Sequence, residues 1–586
     1  MLNTLVSKVK RRSLKLRHDF NQIIERRGTN CGKWEFMAIQ NRNTTQDTLP
    51  FWVADMDFSC PESVIEALHD RVDKKIFGYS SEVTSDFYRS VCGWFQHRFD
   101  WYVNSSDVFY CNKVVSALGY LINIMSEEGD KVIIQPPVYG PFKKKVLKFK
   151  RELLNNNLIN NDGYYEIDFD DFEEKAKDPK TKLFILCSPH NPVGRVWKEE
   201  ELRRLGEICF ENNVKIISDE IHHDIVNPNY KHIPIAKLFP DQLDNIVTCT
   251  ATSKTFNLAG FAYSNIIIHN PEIKKLWREY VEDEIGISLP NPLAIAAVEA
   301  AYSGGEEWLD DLNEYIAENL IFVKEYLNKH LPKAKMSIPE ATYFAWVDIS
   351  EYMDEEMKAD IATYLVKNAE VLINEGNRFG DNFDETIRIN TACPRSLLEE
   401  GLRRIVAVLN RVQEGKEATD FTYASPWKEE NTLFEQIDKP TFLIFLRYYG
   451  CTVCQLDIQN LIANYDKIEK AGAKVVLALQ SDPSLMREQV SKDDIPFEIV
   501  CDTKQKIYKQ YSVSPALSME KMASLDVVKK IGEARGKGFT HGKYEGNELQ
   551  LPALFLIDQD KKVKKVHYAK DISDMPSIDE MIAFLG

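Results

Sequence analysis

Short apolar runs alternate with amphipathic stretches along most of the chain. Runs at residues 131–135, 182–187, 214–218, 245–249 and 264–268 are five or six residues long and rich in Ile, Val and Leu. Such lengths suit strands rather than helices. Between them lie stretches such as 172–176 and 199–212, whose apolar positions recur every three or four residues. Continuous apolar strands separated by helices predict an α/β block with a largely parallel sheet. This first block runs to residue 412. Residues 413–431 are polar and lack an apolar period, so they read as a linker. A second block, residues 432–586, has buried-strand patterns at 441–446, 474–479 and, after Pro552, 553–557. Its length suits an independent domain.

Composition narrows this picture modestly. A chain of 586 residues exceeds what one core supports, so several domains are expected. The net charge of −17 argues against a general nucleic-acid binder. No apolar run approaches a membrane span, so neither nucleic acid nor membrane is an expected partner. The start, residues 1–17, carries six Lys or Arg and no acid. It reads as a solvated basic stretch, with a transit peptide as the other reading. The eleven cysteines are scattered apart from Cys451 and Cys454. That is not a disulfide framework, and a reducing cytoplasm is the expected location.

The chemistry of the first block centres on Lys254, in TATSK at residues 250–254. Upstream stand SDEIH (218–222) and SPHNPVG (188–194). Pyridoxal phosphate needs a lysine for covalent attachment and proton transfer, and a carboxylate to keep its ring nitrogen protonated. It also needs a helix N-terminus for its phosphate and an aromatic face. Asp219 ends a predicted strand, where ligands gather in open α/β sheets. Asn191, in an Asn-Pro turn, can donate to the phenolic oxygen, and His222 can reach the same region. Tyr139, in QPPVY after another strand, can cover the ring. Val114 and Val115 open a helical stretch that offers amides to the phosphate, and Ser253 adds a hydroxyl. Singly each residue is ordinary; their order and strand-end positions select this cofactor.

With those motifs go RRGTNCGKW (26–34), PFWVADMDF (50–58), FGYS (77–80), PEATYFAW (339–346) and RINTACPR (388–395). Together they resemble fold-type-I pyridoxal-phosphate enzymes of the aminotransferase class I/II superfamily, specifically the cystathionine β-lyase (C–S lyase) branch of MalY/PatB type. The resemblance spans about residues 18–409. It implies a large domain over about 65–290, and a small domain from the N-terminal segment and about 291–412. It makes Lys254 the Schiff-base lysine and acid/base, with Asp219, Asn191, His222 and Tyr139 around the ring. Arg388 clamps the substrate carboxylate, with Asn191 and Asp57 also on the substrate side. Tyr79 reaches the phosphate of a neighbouring subunit, implying a homodimer. Aminotransferases of the superfamily usually carry an arginine eight residues after the lysine, where this chain has Ala262. Lys113 is a second departure, in the phosphate loop. The implied reaction is β-elimination from a sulfur amino acid. An aminotransferase, or a cofactor-binding regulator with little turnover, remains an alternative.

In the second block, CTVC (451–454) follows a buried strand at a helix start. There a helix N-terminus stabilises a thiolate. Half a zinc site or two core cysteines are the other readings. FLRYYGCTVC (445–454) resembles the peroxiredoxin-like AhpC/TSA group of the thioredoxin superfamily, with Cys451 in the place of the motif's threonine. The resemblance implies a thioredoxin-like α/β domain, with Pro552 where such folds keep a cis-proline, and favours dithiol–disulfide chemistry by Cys451 and Cys454. Which cysteine attacks is open; Cys501 reads as structural, with a resolving role as the alternative. A thiol reductant is an expected partner.

Overall fold

The computed structural model describes residues 16–81, 84–516, 518–519, 522 and 524–586. The first fifteen residues of the basic start lie outside them. The chain divides into two compact units, Met1–Val406 and Ala407–Gly586.

The first unit is built on a seven-stranded sheet of β1 (Val108–Cys111), β2 (Lys131–Ile134), β3 (Glu152–Asn155), β4 (Thr181–Cys187), β5 (Lys215–Asp219), β6 (Ile246–Thr250) and β7 (Ser264–Ile268). Its spatial order is β1-β7-β6-β5-β4-β2-β3. β7 runs opposite to the other six strands. The inner strands are mostly apolar and buried because both faces are covered, whereas edge strand β3 is partly exposed. Helix α1 (Val114–Met125) packs Ala117, Leu118, Leu121 and Ile122 against Val132, Ile217 and Val247. Its high apolar content thus reflects burial on the sheet. A three-stranded antiparallel sheet of β8 (Phe344–Asp348), β9 (Asn374–Glu375) and β10 (Thr386–Asn390) has β10 in the middle. Its register sets Arg388 between Trp346 and Asn374.

The second unit carries a five-stranded sheet of β11 (Thr441–Phe445), β12 (Lys474–Leu479), β13 (Glu498–Cys501), β14 (Ala553–Ile557) and β15 (Val563–Tyr568), ordered β13-β12-β11-β14-β15. Helix α2 (Thr452–Ala463) follows central strand β11, and α3 (Leu525–Gly536) packs beside α2. Two features differ from what the sequence predicts. Residues 413–431 are not a linker: Ala418, Phe421 and Tyr423 are buried in this unit's core, and Thr422–Tyr423 pairs with Asn431–Thr432. The alternation of Phe421 and Tyr423 is a strand period masked by neighbouring charges. Leu551–Pro552 is also not cis: the cis bonds of the described residues are Pro136–Pro137, Ser188–Pro189 and Asn191–Pro192. The Pro552 carbonyl accepts the Ala569 amide at 3.1 Å, continuing the pairing of β14 with β15.

Candidate active site

Three neighbouring parallel strands, β4, β5 and β6, deliver the central residues from their C-terminal ends. The turn after β4 carries Asn191, β5 ends on Asp219 with His222 just beyond, and the turn after β6 carries Ser253 and Lys254. Carboxyl ends of parallel strands are where open α/β sheets bind ligands. These residues line a cavity of about 270 Å³ with Tyr139, Lys113, Val114 and Val115. The first turn of α1 therefore points its amide end at the cavity, suited to an anion.

The charged groups here lack ordinary partners. The Asp219 carboxylate accepts the Ile221 amide at 3.2 Å and forms no ion pair among the described residues. Burial pushes it up to about 7. Lys254 Nζ donates to the Ala54 carbonyl at 2.7 Å, and burial brings its amine down to about 8. Arg388 donates only to neutral acceptors: Asn191 Oδ1 at 3.0 Å, the Trp52 carbonyl at 2.9 Å and Asn374 Oδ1 at 2.7 Å. Its guanidinium lies over Phe344, 3.8 Å from the ring centre, and its Nε has no partner. Burial lowers even this group to about 9. An isolated buried charge is costly unless a ligand compensates it. His222 is driven well below its ordinary value by burial and by Lys254, so its imidazole is neutral, with Nδ1 unbonded. Burial raises the Tyr139 phenol, so it stays protonated. Arginine has only donors, so the Asn191 oxygen must face Arg388. The Asn191 NH₂ is thereby left to donate elsewhere.

An unpaired anion, an unpaired cation, a buried amine and a helix N-terminus meet the requirements of a pyridinium, a carboxylate, a carbonyl carbon and a phosphate. The residues present fit pyridoxal phosphate. Residues 47–405 match the aminotransferase class I and II model. The chain belongs to the aminotransferase class I and II family. Among its relatives, cystathionine beta-lyase PatB of Bacillus subtilis is 42% identical over 394 residues, covering 67% of this chain and 100% of that protein. Protein MalY of Escherichia coli is 32% identical over 396 residues, again 67% and 100%. The solved PLP-bound C-S lyase from Staphylococcus hominis is 40% identical with a TM-score of 0.63, covering 67% of this chain and 98% of that one. Pyridoxal phosphate is the cofactor of this family member. Residues 415–566 match the AhpC/TSA family.

Of the expected site residues of the first unit, Asp57, Arg388 and Tyr79 do not line the cavity; Arg388 meets it through Asn191, and Tyr79 is expected at a neighbouring subunit's site. The Asp57 carboxylate takes Lys33 Nζ at 2.6 Å, Arg26 Nη1 at 2.7 Å and Trp34 Nε1 at 2.9 Å. It thus fastens the N-terminal segment and has little capacity left for substrate. Tyr79 is 99% exposed and outside the cavity of its own chain. Asn374, Phe344 and the carbonyls of Trp52 and Ala54 were not anticipated. They reach the site through pairing between distant segments, which leaves no local sequence signal. Ala262 lines the cavity in a left-handed conformation (φ 51°).

In the second unit, Cys451 caps α2: its Sγ accepts the Cys454 amide at 3.3 Å and Arg447 Nη2 at 2.9 Å. The bond from Cys454, with the Arg447 charge, holds the Cys451 thiol below its ordinary value against burial. Burial and Cys451 raise Cys454 well above its own. Both thiols are free. Cys501 ends edge strand β13, and burial pushes its thiol up to about 12. Among the described residues no group of three or more His, Cys, Asp or Glu is placed to hold a metal, and no helix is long and apolar enough to cross a membrane.

Proposed function

We propose that this chain cleaves the Cβ–S bond of S-substituted cysteines such as cystathionine, giving a thiol, pyruvate and ammonia. The observation that carries this reading is the end-to-end match of a cystathionine β-lyase at 42% identity. Ala262, in place of the arginine usual in aminotransferases, agrees with it.

Pyridoxal phosphate, when bound, supplies an electrophilic carbon for amine exchange and a ring that accepts the electron pair left at Cα. The chain does the rest. Asp219 would hold the ring nitrogen as its counter-charge, the Asn191 NH₂ would donate to the phenolic oxygen with neutral His222 nearby, and Tyr139 would cover the ring. Val114, Val115 and Ser253 would hold the phosphate. Arg388 takes the substrate carboxylate on its fork, a bidentate task, and so turns the Cα–H toward Lys254. Lys254 is a stronger candidate base than a solvated lysine, because burial leaves more of its amine neutral near pH 7. It removes the Cα proton, and the sulfur departs with the Cβ–S electron pair, taking a proton from Lys254 or water. The remaining enamine hydrolyses to pyruvate and ammonia. Two copies pair, and Tyr79 of each reaches the other's phosphate; its full exposure in a single chain supports this. The second unit adds dithiol–disulfide chemistry at Cys451 and Cys454, and a reducing cytoplasm would keep both thiols available.

An assay with and without an α-keto acid separates this reading from transamination. Elimination releases pyruvate from cystathionine, cystine or S-alkyl cysteines with no acceptor. A strict need for the acceptor overturns it.

A further inference from the structure

The phosphate of pyridoxal phosphate carries about two negative charges near pH 7, and its cradle must offset them. The cavity offers little for this. Its lining has two cationic side chains, Lys254 and Lys113. The Lys254 amine is taken by covalent attachment, which leaves Lys113. The amide end of α1 counts for only about half a charge, and Ser253 adds a neutral hydroxyl. Ala262, where aminotransferases usually carry an arginine, adds none. Lys113 stands level with that missing charge. Strands β1 and β7 pair antiparallel, and their ladder ends with Cys111 opposite Ser264. The Ser264 hydroxyl donates to the Cys111 carbonyl at 2.7 Å and the Tyr110 hydroxyl to the Ala262 carbonyl at 3.3 Å, so the two segments stay together at this end. Two residues past Cys111 is Lys113, and two residues before Ser264 is Ala262; both line the cavity. Lys113 directly precedes α1, with an extended backbone (φ −155°, ψ 138°) and a side chain that caps nothing. Its carbonyl takes the Ser116 and Ala117 amides, both at 3.0 Å, which fixes the main chain. Its ammonium is exposed and pairs with no carboxylate among the described residues.

We propose that Lys113 binds the cofactor's phosphate and supplies, from the end of β1, the positive charge that the chain lacks at Ala262 before β7. The inference rests on the phosphate lying at Val114, Val115 and Ser253. Lys113 is a binding residue and takes no part in proton transfer at Cα. A lysine suits the task from this side: it is a point charge on a flexible stem and serves a dianion without the fixed fork of a guanidinium. Because the ammonium is exposed, its pull on the phosphate is screened by salt. Two consequences follow from the charge alone. Lys113 distinguishes a cofactor that carries the phosphate from one that does not. Inorganic phosphate, the same dianion without the ring, competes for the same place.

The test titrates the full chain, stripped of cofactor, with pyridoxal phosphate and with pyridoxal, which lacks the phosphate, and reads the fraction bound from the visible cofactor band. Lys113→Met keeps most of the stem and removes the charge. It should weaken binding of pyridoxal phosphate about tenfold. Its affinity for pyridoxal should equal that of wild type, which also reports an intact fold. Lys113→Arg should bind both ligands as wild type does. Inorganic phosphate should compete with pyridoxal phosphate less well in Lys113→Met than in wild type, and added salt should narrow the gap between the two proteins. Equal affinity of Lys113→Met and wild type for pyridoxal phosphate overturns the proposal. So does an equal loss for both ligands, which would mark a structural effect rather than a contact with the phosphate. A wild type that binds pyridoxal as tightly as pyridoxal phosphate would instead show that the phosphate cradle itself is misassigned, a failure distinct from the others.

Discussion

At the scale of single residues, the first unit holds charges that only a ligand can satisfy, and this has a cost in the cofactor-free state. Burial holds the folded Asp219 carboxyl at about 7, above the ordinary aspartate value of 3.8. Between those values the folded protein keeps a proton that the unfolded chain has released. The stability of the cofactor-free protein therefore falls as pH rises through that window. Asp219→Asn removes the buried charge, so at pH 8 the cofactor-free variant should be more stable than wild type by about 2–4 kcal/mol. Its lyase activity should be lost. Denaturant midpoints at pH 4 and pH 8 check this, and equal midpoints at pH 8 contradict it. Arg388→Lys keeps a charge but loses the planar fork, so kcat/KM should fall about 10²-fold while the visible cofactor band persists. The sequence brought Lys254, Asp219, Asn191, Tyr139 and His222 together because each sits at or just beyond a strand end marked by an apolar run, and all five line one cavity. Asp57 misled because an acidic residue in a motif looks the same whether it meets substrate or, as here, Lys33 and Arg26.

At the scale of elements, β4, β5 and β6 were readable as buried strands, and their adjacency explains why three distant motifs share one cavity. The sheet of β8, β9 and β10 was not readable. Asn374 meets Arg388 across an antiparallel pair whose register depends on tertiary packing. Residues 540–548, which cover the dithiol motif through the Gly542 amide on the Gly450 carbonyl (2.8 Å), were equally hidden. The cover depends on Gly450, where a Cβ would stand 2.6 Å from the Lys543 carbonyl oxygen. Gly450→Ala should push residues 540–548 away and increase the rate of Cys451 alkylation by iodoacetamide several-fold. A rate equal to wild type would show that the cover does not limit access.

At the scale of the whole molecule, each unit has its own sheet and its own buried core. Heating should therefore give two calorimetric transitions. Added pyridoxal phosphate should raise only the first unit's, since ligand binding stabilises the unit that binds. A single transition that shifts as one would contradict independent cores. Joining a thiol-releasing unit to a dithiol unit sets the second at roughly millimolar effective concentration relative to the first. The fused chain should then process a disulfide amino acid faster than the same units mixed at micromolar concentration. Equal rates at every concentration would exclude coupling. Elimination at Lys254 fixes the product stoichiometry. Purified holoenzyme incubated with cystathionine and no keto acid should yield thiol, pyruvate and ammonia in equal amounts, and Lys254→Ala should yield none. Amino transfer to an added keto acid without thiol release, or undiminished turnover by Lys254→Ala, would contradict it.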